Sequence, residues 1–125
     1  MNTRAMLTAL AAGRLVIGAA LVAKPQSQVG AGWVGGEEAN RPSTGMLFRA
    51  VGGRDMALAL GTLAAQRNGS PLKPWLLGAT LADSVDLVST FAAGRSIPKA
   101  GKAAITLLAG GAIVQQLAIA RTVEA

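Results

Sequence analysis

The chain has 125 residues, 51 % of them hydrophobic and only 3 % aromatic, with 16 glycines and a net charge of +6. It holds neither Cys nor His, which excludes Cys/His zinc sites, disulfides, thiol chemistry and His-ligated haem, and removes the usual general base near neutral pH. The length suits one domain, and an Ala/Gly-rich chain with so few large rings gains more from close helix packing in lipid than from a soluble core.

The first apolar stretch covers residues 5–23. A basic residue precedes it and small residues end it, as in a signal peptide. Arg14 at its centre interrupts the apolar region that such a peptide needs, so the stretch reads as a retained span. Lys24-Pro25 ends it. Residues 25–42 form a polar, Gly-rich connection, an irregular or interfacial first loop. Its apolar part, residues 29–36, is too short to cross a bilayer, so a flexible surface loop is expected. The alternatives place Trp33 at the headgroups or fold the segment back among the helices. Gly32 and Gly36 have helix-dimer spacing, a weak signal without an apolar helix around it.

The second span is expected at about 43–66, with Pro42 before it and Ser43 or Thr44 as cap. Residues 67–71, RNGSP, are a turn. The third span, about 73–93, has Pro74 in its first turn and Trp75 at interfacial depth. Residues 94–98, GRSIP, lead to a fourth span at about 99–120, where Lys99 and Lys102 can reach the headgroups. Two of the three connections are short, which makes neighbours antiparallel. The expected fold is all-α: a single four-helix transmembrane bundle, up-down-up-down, over residues 1–125.

Six charged residues fall inside these spans: Arg14, Arg49, Arg54, Asp55, Asp83 and Asp86. A charge in hydrocarbon costs roughly 2.5–3.5 kcal/mol by insertion scales, so it faces the interior and finds a partner. At about 100° per residue, Gly45, Arg49, Gly52, Asp55 and Ala59 share a face of the second span, while Arg54 points away and needs a different neighbour. Asp83, Asp86 and Thr90 share a face of the third span. Arg14 lies in a stripe with Leu7 and Gly18. Three cations and three anions predict one buried Arg–Asp cluster, structural or ligand-binding, with guanidinium groups gripping carboxylates through paired bonds. As pure scaffolding, the cluster would fix helix register. The Asp-x-x-Asp pair also resembles magnesium sites of membrane phosphotransferases, but the chain supplies too few carboxylates; neither catalysis, a metal nor a cofactor is expected. Gly45, Gly52, Gly53, Gly61, Gly101, Gly110 and Gly111 are the expected close-packing positions, and Gln115 and Gln116 are expected to bond between helices.

Setting the six aside leaves nine basic and three acidic residues, all in loops and ends. That surplus favours anionic headgroups as partner. Nucleic acid is not expected, because no basic helix face is interleaved with aromatics. Four basic residues flank the spans on the side of the termini and five on the other, which gives no orientation bias.

The run Arg49-Ala-Val-Gly-Gly-Arg54-Asp55, then Leu60-Gly61, Trp75 and Asp83-Ser-Val-Asp86, resembles a family of small four-span membrane proteins of high-GC bacteria, a domain of unknown function. The resemblance covers Arg14 to Ala120. It implies the four-span fold and a multi-pass place in the bacterial plasma membrane, and it brings no activity with it. The expected role is non-enzymatic: an accessory subunit, or a binder of a small polar or amphipathic ligand at the cluster, in contact with the bilayer and open to self-association or a larger membrane complex. The alternative is a small proton-coupled transporter that exchanges a proton at Asp83 or Asp86. Four-helix multidrug transporters share this size, but they carry an acidic residue in the first span, where this chain has Arg14. A third reading is a soluble Ala-rich bundle with its Arg and Asp residues on solvated faces.

Overall fold

The computed structural model describes residues 2–123, which form helices joined by short turns with no strand among them. Helix α1 (Thr3–Ala23) opens with the Asn2 side chain accepting the Ala5 N–H at 2.8 Å, which satisfies one of the unpaired amides of a first turn. Two short helices follow, α2 (Gln28–Val34) and α3 (Gly36–Ala39). Helix α4 (Pro42–Asn68) has Pro42 in its first turn, where no amide is needed. It ends at Gly69, whose φ of 68° lets the Ser70 N–H turn back onto the Ala65 carbonyl. Helix α5 (Lys73–Ala92) leads through a 3-10 turn (Gly94–Ser96) to one continuous helix, Lys99–Ala120. This last helix comprises α6 (Lys99–Ile105), a π-helical turn (Thr106–Gly110) and α7 (Gly111–Ala120).

The four long helices begin and end within two residues of the spans read from sequence. Residues 25–42 differ from expectation. They are not a flexible loop but two short helices folded back on the bundle, because Trp33 has partners there: its ring stacks on Phe48 with centroids 5.5 Å apart, and its Nε1 donates to the Thr90 hydroxyl at 2.9 Å. Ser43 and Thr44 do not cap α4. Its N-cap is Arg41, with no side-chain cap, and the Thr44 hydroxyl donates to Glu38 Oε1 instead.

Helix α1 packs along α4 in antiparallel register. Gln66 Nε2 reaches the Arg4 carbonyl, Gly18 sits against Gly52, Arg49 Nε donates to the Val22 carbonyl and Pro25 meets Gly45. Helix α5 packs along α7, with Leu76 against Ile119 and Ala120 and the Thr80 hydroxyl donating to Gln116 Oε1. The two helix pairs meet where the Trp75 ring lies against Gly61 and Leu58 approaches Gly78. An apolar cluster around Leu7, Leu76 and Ile119 closes one end, and another around Leu21, Ala39 and Phe48 closes the other.

Glycine positions divide by the face they occupy. A Cβ on Gly52 would stand 2.5 Å from the Gly18 carbonyl oxygen, and one on Gly61 would collide with Trp75. Gly45 is only in ordinary contact with Pro25. Gly53, Gly110 and Gly111 meet nothing within 4 Å and are not packing positions. One residue turns a helix by about 100°, so Gly53 leaves the face that Gly52 uses. Gly101 is tight against the Trp33 backbone, and the tight approaches outside the expected set are at Gly18 and Gly30.

Candidate functional site

Between the two apolar ends lies a network of ions. Arg14, from the middle of α1, grips Asp83 of α5 with both terminal nitrogens, one of them at 3.0 Å, and NH1 also donates to Asp55 Oδ1 at 3.2 Å. Arg54 of α4 grips Asp86 in the same manner, at 3.0 and 2.7 Å, and donates to Asp55 Oδ1 from Nε and NH2 at 3.3 and 2.9 Å. The result is two bidentate Arg–Asp pairs bridged by one oxygen of Asp55. Paired, planar contacts of this kind are the strongest a guanidinium makes. Asp55 and Asp83 are only 7 % and 6 % exposed, so these charges have left solvent and depend on each other.

Local sequence explains the placement. Asp83 and Asp86 are three residues apart and lie side by side on α5; each receives its own arginine instead of sharing one ion. Arg54 and Asp55 are adjacent, so Asp55 turns inward toward Arg14 while the longer Arg54 reaches round to Asp86. The Gly18–Gly52 contact brings α1 and α4 close enough for Arg14 to touch Asp55.

Five of the six residues expected in the cluster are therefore together. Arg49 is not among them: it is exposed, and its guanidinium goes to the Val22 carbonyl at 3.1 Å. A long side chain at the edge of a helix face can run along the surface to a backbone acceptor. Gln116 joins in its place. It is 2 % exposed, donates from Nε2 to Asp83 Oδ2 at 2.9 Å and accepts from Thr80. Gln115 points outward. A polar amide in an apolar stretch was the sequence signal for Gln116, but the two adjacent glutamines look alike until the helix phase is known.

Above the network is a cavity of about 510 Å³. Asp55, Asp83, Asp86 and Arg14 form its floor. One wall is α1, through Leu10, Ile17 and Leu21; the other is the last helix around its π turn, through Ile105, Leu108 and Ala112. Trp33 closes one end. Its walls come from helices whose main packing partners lie elsewhere, α1 on α4 and α7 on α5, so the cavity opens sideways between them. The volume lies within the roughly 300–1,000 Å³ of small-molecule sites, and an apolar wall with few convergent polar groups is their usual make-up. Among the described residues no group of three or more carboxylates is disposed to hold a metal ion.

No protein-family model, curated protein or solved structure matches the chain.

Proposed function

We propose that the chain is a four-span, multi-pass protein of the bacterial cell membrane that binds a small amphipathic ligand over its Arg–Asp network, without catalysing a reaction on it. The observation that carries this reading is a polar centre, set between two apolar ends, beneath a surface of exposed large apolar side chains. The interior holds Asp55, Asp83, Thr62, Thr90 and Gln116, while Val16, Leu81, Val88, Leu107 and Val114 are 67–77 % exposed. Soluble proteins rarely expose apolar surface on this scale; a bilayer favours it and drives ions inward.

Thr3–Ala23 and Lys99–Ala120 are long and apolar enough to cross a membrane, and only 22 % of each apolar stretch is buried, unlike a soluble core helix. Helices α4 and α5, of 27 and 20 residues, have the length for a span of about 30 Å. Their hydropathy is lowered by Asp55, Asp83 and Asp86, which they turn inward, by Arg54, and on α4 also by the exposed Arg49 and Arg67. The sideways cavity favours a ligand binder over a purely structural subunit, since apolar walls above a charged floor match an amphipathic molecule. The alternative, proton exchange at Asp83 or Asp86, has less support, because each is gripped by a guanidinium.

Alkaline carbonate washing tests the membrane reading. The protein is expected to stay with the sedimented bilayer, and recovery in the supernatant would end the proposal.

A further inference from the structure

The ions of the network do not balance. Arg14 and Arg54 face Asp55, Asp83 and Asp86. The remaining side chains that close on them, Gln116 from α7 and Trp33 from α2, carry no charge. With every group ionised, one negative charge is in excess. Its location follows from the hydrogen bonds. Both oxygens of Asp83 are held by Arg14, and both of Asp86 by Arg54. Asp55 gives only Oδ1 to the two arginines; its Oδ2 has no hydrogen bond among the described residues. Asp55 is more than nine-tenths buried and lines the cavity.

Resting on the ligand-binding reading above, we infer that the cavity takes a compact lipophilic monocation, an organic ammonium or phosphonium, whose charge is met by Asp55. A divalent metal ion needs six or more oxygen ligands, and one disengaged carboxylate oxygen does not supply them. A neutral or anionic ligand supplies no charge to match, and Asp55 would then have to take up a proton instead. Trp33 on the wall presents an aromatic ring, a surface that attracts onium groups. Leu10, Ile17 and Leu108 accept the apolar body, and the sideways opening admits it from the acyl chains. A cavity of about 510 Å³ suits a compact molecule better than a two-chain lipid.

The test uses the full chain in uncharged detergent micelles, titrated with tetraphenylphosphonium and, separately, with its anionic counterpart tetraphenylborate, read by calorimetry and tryptophan fluorescence. Saturable one-to-one binding of the cation is expected, with none of the anion at this site. Asp55→Asn leaves two arginines matched by two aspartates, so it is expected to fold with unchanged helicity and to lose at least tenfold in cation affinity. Asp55→Glu should retain binding. Gly13→Leu lies on the cavity wall outside the ion network, and its Cβ meets nothing within 4 Å; it should weaken binding without lowering the melting temperature, which keeps the test intact if Asp55→Asn misfolds. Equal binding of both probes, or a folded Asp55→Asn that binds the cation as the parent does, would overturn the inference. If tetraphenylborate alone bound saturably and Gly13→Leu abolished it, the cation claim would fail while the ligand-binding reading stood. If Gly13→Leu altered neither titration, the cavity itself would not be the site, and both would fail.

Discussion

At the residue scale, the ion network sets what each substitution costs. Asp83 receives Arg14 and Gln116 together. Asp83→Asn breaks the bidentate grip and leaves Arg14 only its single bond to Asp55 Oδ1, a loss bounded by the about 3–5 kcal/mol of breaking a buried pair from one side. The measurable outcome is a lower melting temperature in detergent. Adding Arg14→Gln should recover part of the loss, because the two changes act on one contact and are not additive; a double variant that melts at the sum of both losses would contradict a shared pair. The identity of this cluster was legible in the sequence, since six charges in otherwise apolar segments must seek each other. Which five meet was not. Arg49 shares a helix face with Gly52 and Asp55, and periodicity cannot tell an inward arginine from one that extends along the surface. Nor could the spacing of Asp83 and Asp86 show that separate arginines, from different helices, hold them.

At the element scale, α1 and α4 cross with backbones in contact at Gly18 and Gly52. A backbone oxygen cannot move aside as a side chain can, so Gly52→Ala is expected to push the helices apart and lower the melting temperature. Gly53→Ala is the matched control. Its Cβ enters open space, and reduced freedom of the unfolded chain stabilises such a change by about 0.4–1 kcal/mol. Equal effects of the two alanines would show that the crossing does not govern the packing. The helix limits themselves were readable from Pro42, Pro74, Pro98 and the turn at Gly69, each of which has a local steric cause. The short α2 and α3 were not, since seven and four residues are too few to display a period. Trp33 fixes them through partners 15 and 57 positions along the chain, Phe48 and Thr90. The π turn likewise left no mark in the sequence, and Gly110 at its end and Gly111 after it looked like contact positions for want of a phase.

At the scale of the whole molecule, the direction of the helices makes a topological prediction. The turn around Ser70 and the chain end at Thr122 lie with the Leu7–Leu76–Ile119 cluster, while Ser96 lies with the opposite end. The chain has no cysteine, so Ser70→Cys, Ser96→Cys and Thr122→Cys can each be labelled singly with a membrane-impermeant maleimide in sealed cells and in inverted vesicles. Ser70→Cys and Thr122→Cys should react from one side and Ser96→Cys from the other. If only α1 and the last helix crossed, Ser70→Cys would report with Ser96→Cys instead. The division of charge between the two helix pairs also bears on how the protein is made. The pair emerging first from the ribosome contains Arg14, Arg54 and Asp55, and the pair emerging second contains Asp83 and Asp86. The early half can neutralise Asp55 by itself but is left with a surplus cation, and the late half arrives with two anions that have no partner of their own. Each half is an incomplete electrolyte until the other docks, so in the proposed membrane setting translation order would act as a timer: the N-terminal hairpin stays charged until the acidic one reaches it.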